Sequence, residues 1–458
     1  MNLINPATEE DLGPTPYIEI GEAKEIVERA HEAFEGWSRA TLAERAELLR
    51  KLGSTLRRDA LDLALIAARE MGKPISDGEA EANKCAWACE YYAEHGPSFL
   101  APQPVQTDAE HSYVHFAPLG VVLAVMPWNF PFWQFFRFAA PALMAGNAVV
   151  LKHAPNVPGC ANAIVSLAEK AGAPPGLVGG ALVRAKLVSD LIEDRRIVAV
   201  TFTGSTETGR KIASASGKAL KKTVLELGGS DPYVILQDAD LERAARITVK
   251  ARMVNSGQSC IAAKRFVVVA SLKERLEDLV VDHMKKLHMG DPTDRKTKLG
   301  PMATMVQREN LHEQVEKSVA AGAKLLLGGE VPDKPGAWYP PTVLTDVARG
   351  MAAYEEELFG PVAAIIAARN DDDAIDIAND SRFGLGAAVF TSDQSKGERI
   401  ARDRLRAGSC FVNDAVRSDP RLPFGGVRDS GYGRELSWLG IREFVNAKTV
   451  YVASSDDG

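Results

Sequence analysis

Gly120-Val121-Val122-Leu123-Ala124-Val125-Met126-Pro127-Trp128-Asn129-Phe130-Pro131 is a short apolar run that passes straight into a loop stiffened by two prolines. Val121–Val125 is bounded by turn residues and reads as a buried strand. Ala148–Leu151, Ile197–Phe202 and Thr223–Leu225 repeat the type, with amphipathic stretches such as Cys160–Ala171 between them. Strands alternating with helical patterns in this way predict a parallel, doubly wound α/β sheet. In open sheets of that kind ligands bind at the carboxyl ends of strands, which is where Pro127–Pro131 begins.

The chain on either side fits around that sheet. Ile26, Val27, Ala30 and Phe34 recur at helical spacing, as do Ala43, Ala46, Leu49 and Leu52, so residues 20–92 are expected to be helical. Residues 96–111 read as a Pro-rich link, and Ser112–Phe116 as an exposed strand with His111 and His115 on one face. A second alternating region follows Asp231, with strands at Tyr233–Leu236 and Arg265–Val269 and a helix from Leu241 to about Val254. The tail, Lys448–Ala453, alternates again and is expected to pair with Ser112–Phe116 or with a partner's sheet.

A chain of 458 residues exceeds what one hydrophobic core organises, so two or three domains are expected. The net charge of −7, with both signs interspersed, argues against nucleic-acid or acidic-membrane binding. Five cysteines (Cys85, Cys89, Cys160, Cys260, Cys410) without a C-x-x-C fit a reducing compartment. Cys85 and Cys89 read as part of a packed helix face, and no metal site is expected. The polar, acidic first residues lack a signal-peptide pattern and no apolar stretch is long enough to span a bilayer, so the expected location is cytoplasmic.

Three segments carry chemistry. Phe202-Thr203-Gly204-Ser205-Thr206-Glu207-Thr208-Gly209 follows a strand and opens a helix, which suits a pyrophosphate on backbone N–H groups. Arg210-Lys211 after Gly209 breaks the Walker-A pattern, and G-x-G-x-x-G is absent, so a dinucleotide site would be a variant one. Val224-Leu225-Glu226-Leu227-Gly228-Gly229-Ser230-Asp231-Pro232 offers a carboxylate base, and Asn255-Ser256-Gly257-Gln258-Ser259-Cys260 a thiol nucleophile. Taken with Asn129, whose amide suits a developing oxyanion, they point to chemistry through a thioester.

These motifs, with Lys152, Glu357-Leu358-Phe359-Gly360-Pro361 and Pro423-Phe424-Gly425-Gly426 through Ser430-Gly431-Tyr432-Gly433-Arg434-Glu435, resemble the aldehyde dehydrogenase superfamily in the same order over nearly the full length. The chain is most similar to short bacterial succinate-semialdehyde dehydrogenases, through Arg137–Leu143, Lys152–Val157 and Ser418–Pro423. The resemblance implies a variant Rossmann cofactor domain (1–105 and 119–229), a catalytic domain (230–430) and a β oligomerisation arm (106–118 and 431–458) that builds homodimers or homotetramers. It assigns Cys260 as nucleophile, Asn129 and the Cys260 N–H as oxyanion donors worth roughly 3–4 kcal/mol each, and Glu226 as the base that activates water. Relatives that pass the acyl group to coenzyme A lack that base.

Cofactor contacts implied are Trp128, Lys152, Pro155, Gly204, Ser205, Glu357 and Phe359. Pro155 stands where a carboxylate would select NAD, and the resemblance favours NAD, with NADP as the alternative. Arg137 and Ser418 are expected to hold a distal carboxylate, and Trp133 and Phe424 to wall the substrate tunnel. The competing reading of Arg137 is an ion pair with a nearby acid. Arg417 and Arg421 are looser candidates. Glu435 suits a proton relay, although Phe138 stands where many relatives carry Lys. Val254 replaces an Arg of the longer succinate-semialdehyde enzymes, and Ala262 replaces a second cysteine. The expected reaction is NAD(P)-dependent oxidation of succinate semialdehyde, or a similar ω-oxo acid, to the dicarboxylate. A broad aldehyde dehydrogenase without carboxylate recognition, or a silent binding protein on the same scaffold, is the alternative.

Overall fold

In the computed structural model, which describes residues 2–454, two parallel sheets dominate. The first has six strands in the order Gly431–Tyr432, Lys222–Glu226, Ile197–Thr203, Val121–Val125, Ala148–Lys152, Val178–Gly180. All pairings are parallel except that of Gly431–Tyr432 with Lys222–Glu226. Val121–Val125 and Ala148–Lys152 are buried throughout, as strands covered by helices on both faces must be.

Helices Ile20–Trp37, Leu42–Arg58, Ala60–Met71 and Ile75–Phe99 pack around this sheet and share one core with it. Leu42–Arg58 opens with a capping box, in which Thr41 Oγ1 accepts from the Glu44 N–H and the Glu44 carboxylate accepts from the Thr41 N–H. Cys85 and Cys89 are fully buried in the core. The last helix runs to Phe99, through Pro97, so the link expected from residue 96 starts a turn later.

The second sheet has seven strands, ordered Lys324–Leu327, Thr342–Thr345, Val362–Ala368, Ala263–Val269, Asp231–Ile235, Gly386–Phe390, Ser409–Val412. Only its edge strand Lys324–Leu327 is antiparallel. Separate apolar clusters cover its two faces. A three-stranded antiparallel sheet joins Gln103–Pro104, His111–Pro118 and Val445–Val452. The tail therefore pairs with the strand containing Ser112–Phe116, and His111 and His115 lie exposed on it. Gly431–Tyr432 extends the six-stranded sheet rather than this arm. Among the described residues no helix is long and apolar enough to cross a membrane.

Candidate active site

The site forms where the carboxyl ends of the first sheet face the loop that carries Cys260. Helix Leu241–Met253 ends, and the chain turns through three successive left-handed residues: Asn255 (φ 53°), Ser256 (φ 55°) and Gly257 (φ 76°). Such a backbone costs about 1–3 kcal/mol per non-glycine residue and persists only where neighbours impose it. Here they do. Asp77 accepts from the Asn255 N–H at 3.1 Å, Asn255 Nδ2 donates to the Asn129 carbonyl at 2.7 Å, and the Gly300 N–H donates to Ser256 Oγ at 2.9 Å. A Cβ on Gly257 would come within 2.3 Å of the Gly360 carbonyl oxygen, so this position needs glycine twice over.

Buried Arg252 ties that loop to its neighbour. Its Nη2 donates to the carbonyls of Gly257 (3.2 Å), Leu358 (2.8 Å) and Gly360. Lys264, also buried, donates from Nζ to the carbonyls of Ser259 (2.9 Å) and Cys260 (2.6 Å) and lies 3.3 Å from Glu357 Oε1. Glu357 Oε1 accepts in turn from the Gly229 N–H at 3.1 Å. Nucleophile loop, Glu226–Gly229 segment and Glu357 are thus tied together through one ammonium.

The loop after Val121–Val125 is fixed just as firmly. Glu81, paired with buried Lys73, accepts from the N–H groups of Phe132 (2.9 Å) and Trp133 (2.8 Å). His153 Nδ1 accepts from the Ala154 N–H, so Nε2 carries the proton and donates to the Pro131 carbonyl at 2.9 Å. Burial pushes the His153 imidazole down to about 4, and it is neutral near pH 7. Asn129 Nδ2 reaches the Gln258 carbonyl at 3.2 Å, which brings the amide to the Cys260 loop.

Glu226 ends its strand, buried, with neither carboxylate oxygen hydrogen-bonded among the described residues. Burial, then the Glu435 carboxylate, push its pKa up to about 8, against the pull of Arg137 and Arg434. Burial holds the Cys260 thiol up at about 12, with Arg137 and Lys264 pulling it down. In this state the thiol carries its proton.

A second group of side chains suits a dinucleotide. Lys152, at the end of Ala148–Lys152, is buried, and its ammonium makes no hydrogen bond or ion pair among the described residues. Burial lowers its pKa. A buried, unpartnered cation at the carboxyl edge of a parallel sheet fits a polar ligand such as a ribose diol. Gly204 precedes the helix Thr206–Lys218, and Ser205 caps it, accepting from the Thr208 N–H. Trp128 and Phe359 meet edge to face at 5.8 Å. Pro155, beyond Lys152, accepts from Thr15 at 3.5 Å.

A cavity of about 770 Å³ opens onto Cys260, with Trp133, Arg137, Ser418 and Phe424 in its wall. None of the cofactor candidates lines it. Trp133 carries Lys84 Nζ over its ring at 4.3 Å, and Phe424 carries the Arg137 guanidinium at 4.7 Å. Arg137 corrects the simple clamp expected for it. Its Nε faces Glu435 in a buried ion pair, and Nη2 reaches Thr203 Oγ1 at 3.4 Å. A guanidinium so deep in protein needs a counter-charge, and the protein itself supplies one. Arg417 pairs with Asp414 in the cavity wall, while Arg421 pairs with Asp419 outside it.

Lys84, Lys264, Arg252 and the Lys73–Glu81 pair escaped sequence reasoning. Asp77, Glu81 and Lys84 fall at i, i+4 and i+7 and share one helix face, but a charged stripe reads first as a solvated one.

A cysteine loop held against the Asn129 amide, a buried carboxylate and an unpartnered lysine at the edge of a parallel sheet fit an oxidoreductase that acts on aldehydes. The chain belongs to the aldehyde dehydrogenase family, whose model matches residues 1–450. It is 46% identical over 448 residues to the NAD(P)+ succinate semialdehyde dehydrogenase Sad of Escherichia coli (strain K12), covering 98% of this chain and 97% of that one. It is also 46% identical over 459 residues to the NADP(+) succinate-semialdehyde dehydrogenase of Mycobacterium avium (strain 104), covering 99% and 97%. The crystal structure of succinic semialdehyde dehydrogenase from Streptococcus pyogenes with NADP+ superposes with a TM-score of 0.96 at 37% identity, covering 99% of this chain and 100% of that one.

Proposed function

We propose that this protein oxidises succinate semialdehyde, or a closely similar ω-oxo acid, to the dicarboxylate with NAD(P)+. The observation that carries the substrate class is the charge of the cavity. Lys84, Arg137, Arg243, Arg246, Lys250 and Arg417 line it against Asp77, Glu81 and Asp414, in a chain whose net charge is −7. A basic channel in an acidic protein concentrates an anionic substrate. Relatives named for succinate semialdehyde at 46% identity support the same class.

Cys260 gives up its proton to solvent in the cavity that opens onto it, and Sγ adds to the aldehyde carbon to form the oxyanion of a thiohemiacetal, which the Asn129 amide and the Cys260 N–H stabilise. A bound nicotinamide dinucleotide supplies the hydride acceptor. With that acceptor bound, the oxyanion would collapse with loss of the aldehyde hydrogen as hydride, leaving an acyl thioester on Cys260. Glu226 takes a proton from water, whose oxygen attacks that thioester and releases the acid and the thiol. With a pKa near 8, Glu226 is poised to hold and pass protons at neutral pH. Lys152, Ser205, Gly204, Glu357, Trp128, Phe359 and Pro155 bind and orient the dinucleotide. No carboxylate stands at position 155 to repel a 2′-phosphate, which supports use of both cofactors, as the relatives' names do.

The sheet 121–226 serves the cofactor, the sheet 231–412 catalysis, and the strands at 103–118 and 445–452 build a homodimer or homotetramer. Five free cysteines support a cytoplasmic enzyme. An aldehyde panel of graded length, with and without a terminal carboxylate and with both cofactors, tests the reading. The expected optimum is a four-carbon oxo acid; equal kcat/KM for acids and uncharged aldehydes would remove the substrate class.

A further inference from the structure

We propose that Lys84, acting with Ser418, is the cation that receives the distal carboxylate of the substrate. This rests on the ω-oxo acid reading above and names the residue that would enforce it. Lys84 lies on the helix Ile75–Phe99, half-buried, on the wall of the cavity that also holds Cys260. Its Nζ donates to Ser418 Oγ at 2.7 Å and sits over the Trp133 ring.

No carboxylate of the described residues pairs with Lys84. Glu81, one turn before it, is taken by Lys73 and two backbone N–H groups, and Asp419 by Arg421. The other cavity cations are differently placed. Arg137 is committed to Glu435, Arg417 to Asp414, and Arg243 donates to the Asn413 carbonyl. Arg246 and Lys250 are exposed on the helix Leu241–Met253.

A half-buried ammonium whose neighbours are a hydroxyl and an indole face lacks an anion. An entering carboxylate would supply it. Ser418 Oγ accepts from Lys84 and keeps its own O–H to donate, so the two side chains present adjacent donors to the two carboxylate oxygens. The Trp133 face positions the ammonium. Burial and the Arg137 charge lower the Lys84 pKa to about 8, a value that a bound carboxylate would raise again.

The test is the ratio of kcat/KM for succinate semialdehyde to kcat/KM for butanal, which has the same carbon chain without the carboxylate. Losses from misfolding enter both rates and cancel. Lys84→Met is expected to lower the ratio at least tenfold, through the KM of the oxo acid. Lys84→Arg, which keeps the charge, is expected to hold the ratio above that of the Met variant. A fall of less than tenfold, or equal ratios in the two variants, overturns the assignment. A wild-type ratio near one overturns the substrate reading and this assignment with it. A high wild-type ratio that survives Lys84→Met overturns this assignment alone.

Discussion

The Arg137 guanidinium and the Glu435 carboxylate form a buried ion pair, and both charges act on Glu226. Burial comes first in raising the Glu226 pKa to about 8, and Glu435 is the next cause. Glu435 itself is raised by burial and pulled down by Arg137. Removing the Glu435 charge therefore lowers the Glu226 pKa. A base acts when deprotonated, so kcat should rise with pH through about 8 in the wild type. In Glu435→Gln that acid limb should move to lower pH, toward the ordinary glutamate range. The pH dependence of kcat reads this, and a limb that stays in place would show that Glu226 is not the group titrating.

Much of this site was legible in the sequence because its parts lie in short, chemically distinctive segments. Asn129 sits between two prolines, Glu226 precedes Gly228-Gly229, and Cys260 ends an Asn-Ser-Gly-Gln-Ser run. The strands that carry them announce themselves as apolar runs, and their order implies the sheet. What stayed hidden depends on partners distant in the chain. Arg137 and Glu435 are some 300 residues apart, Lys84 and Ser418 are 334 apart, and nothing local marks either as a pair. Lys264 stands just before the strand expected at Arg265–Val269 and belongs to the observed one, Ala263–Val269, and its hold on the Cys260 carbonyl appears only when the loop folds back over it.

Glu226→Gln should separate the two halves of the reaction. The amide keeps the shape of the buried side chain but cannot take a proton from water. Thioester hydrolysis should slow by about 10²–10⁴-fold. If formation of the thioester needs a different proton acceptor, a first burst of NAD(P)H equal to the enzyme present should survive. Rapid-quench or stopped-flow measurement of that burst decides it; steady-state turnover near the wild-type rate would refute the role of Glu226.

Arg246 and Lys250 project from one exposed face of Leu241–Met253 at the cavity rim. Reversing both to Glu should lower kcat/KM for an anionic aldehyde by about tenfold at low salt, since steering fields act on the encounter. The difference should shrink as salt rises, because exposed charges are screened over about 10 Å at 0.1 M. The kcat should change little. A loss that does not respond to ionic strength would indicate a direct contact instead of steering.

Lys73 and Glu81 form an ion pair almost without solvent contact, with side chains 0% and 1% exposed, and the ammonium also lies 4.0 Å from the Phe130 ring. Glu81 uses its other oxygen to hold the N–H groups of Phe132 and Trp133, at the end of the loop that carries Asn129. Lys73→Met would leave that carboxylate buried without its counter-charge, a defect that costs about 3–5 kcal/mol. The urea midpoint should fall accordingly. Neutralising both partners, as Lys73→Met with Glu81→Gln, should recover part of the stability, because no lone charge is then buried. It should not recover turnover, since a glutamine amide holds the two N–H groups more weakly than a carboxylate and Asn129 would be less firmly aimed. A single variant as stable as the wild type would mean that Lys73 fills space there and carries no electrostatic load.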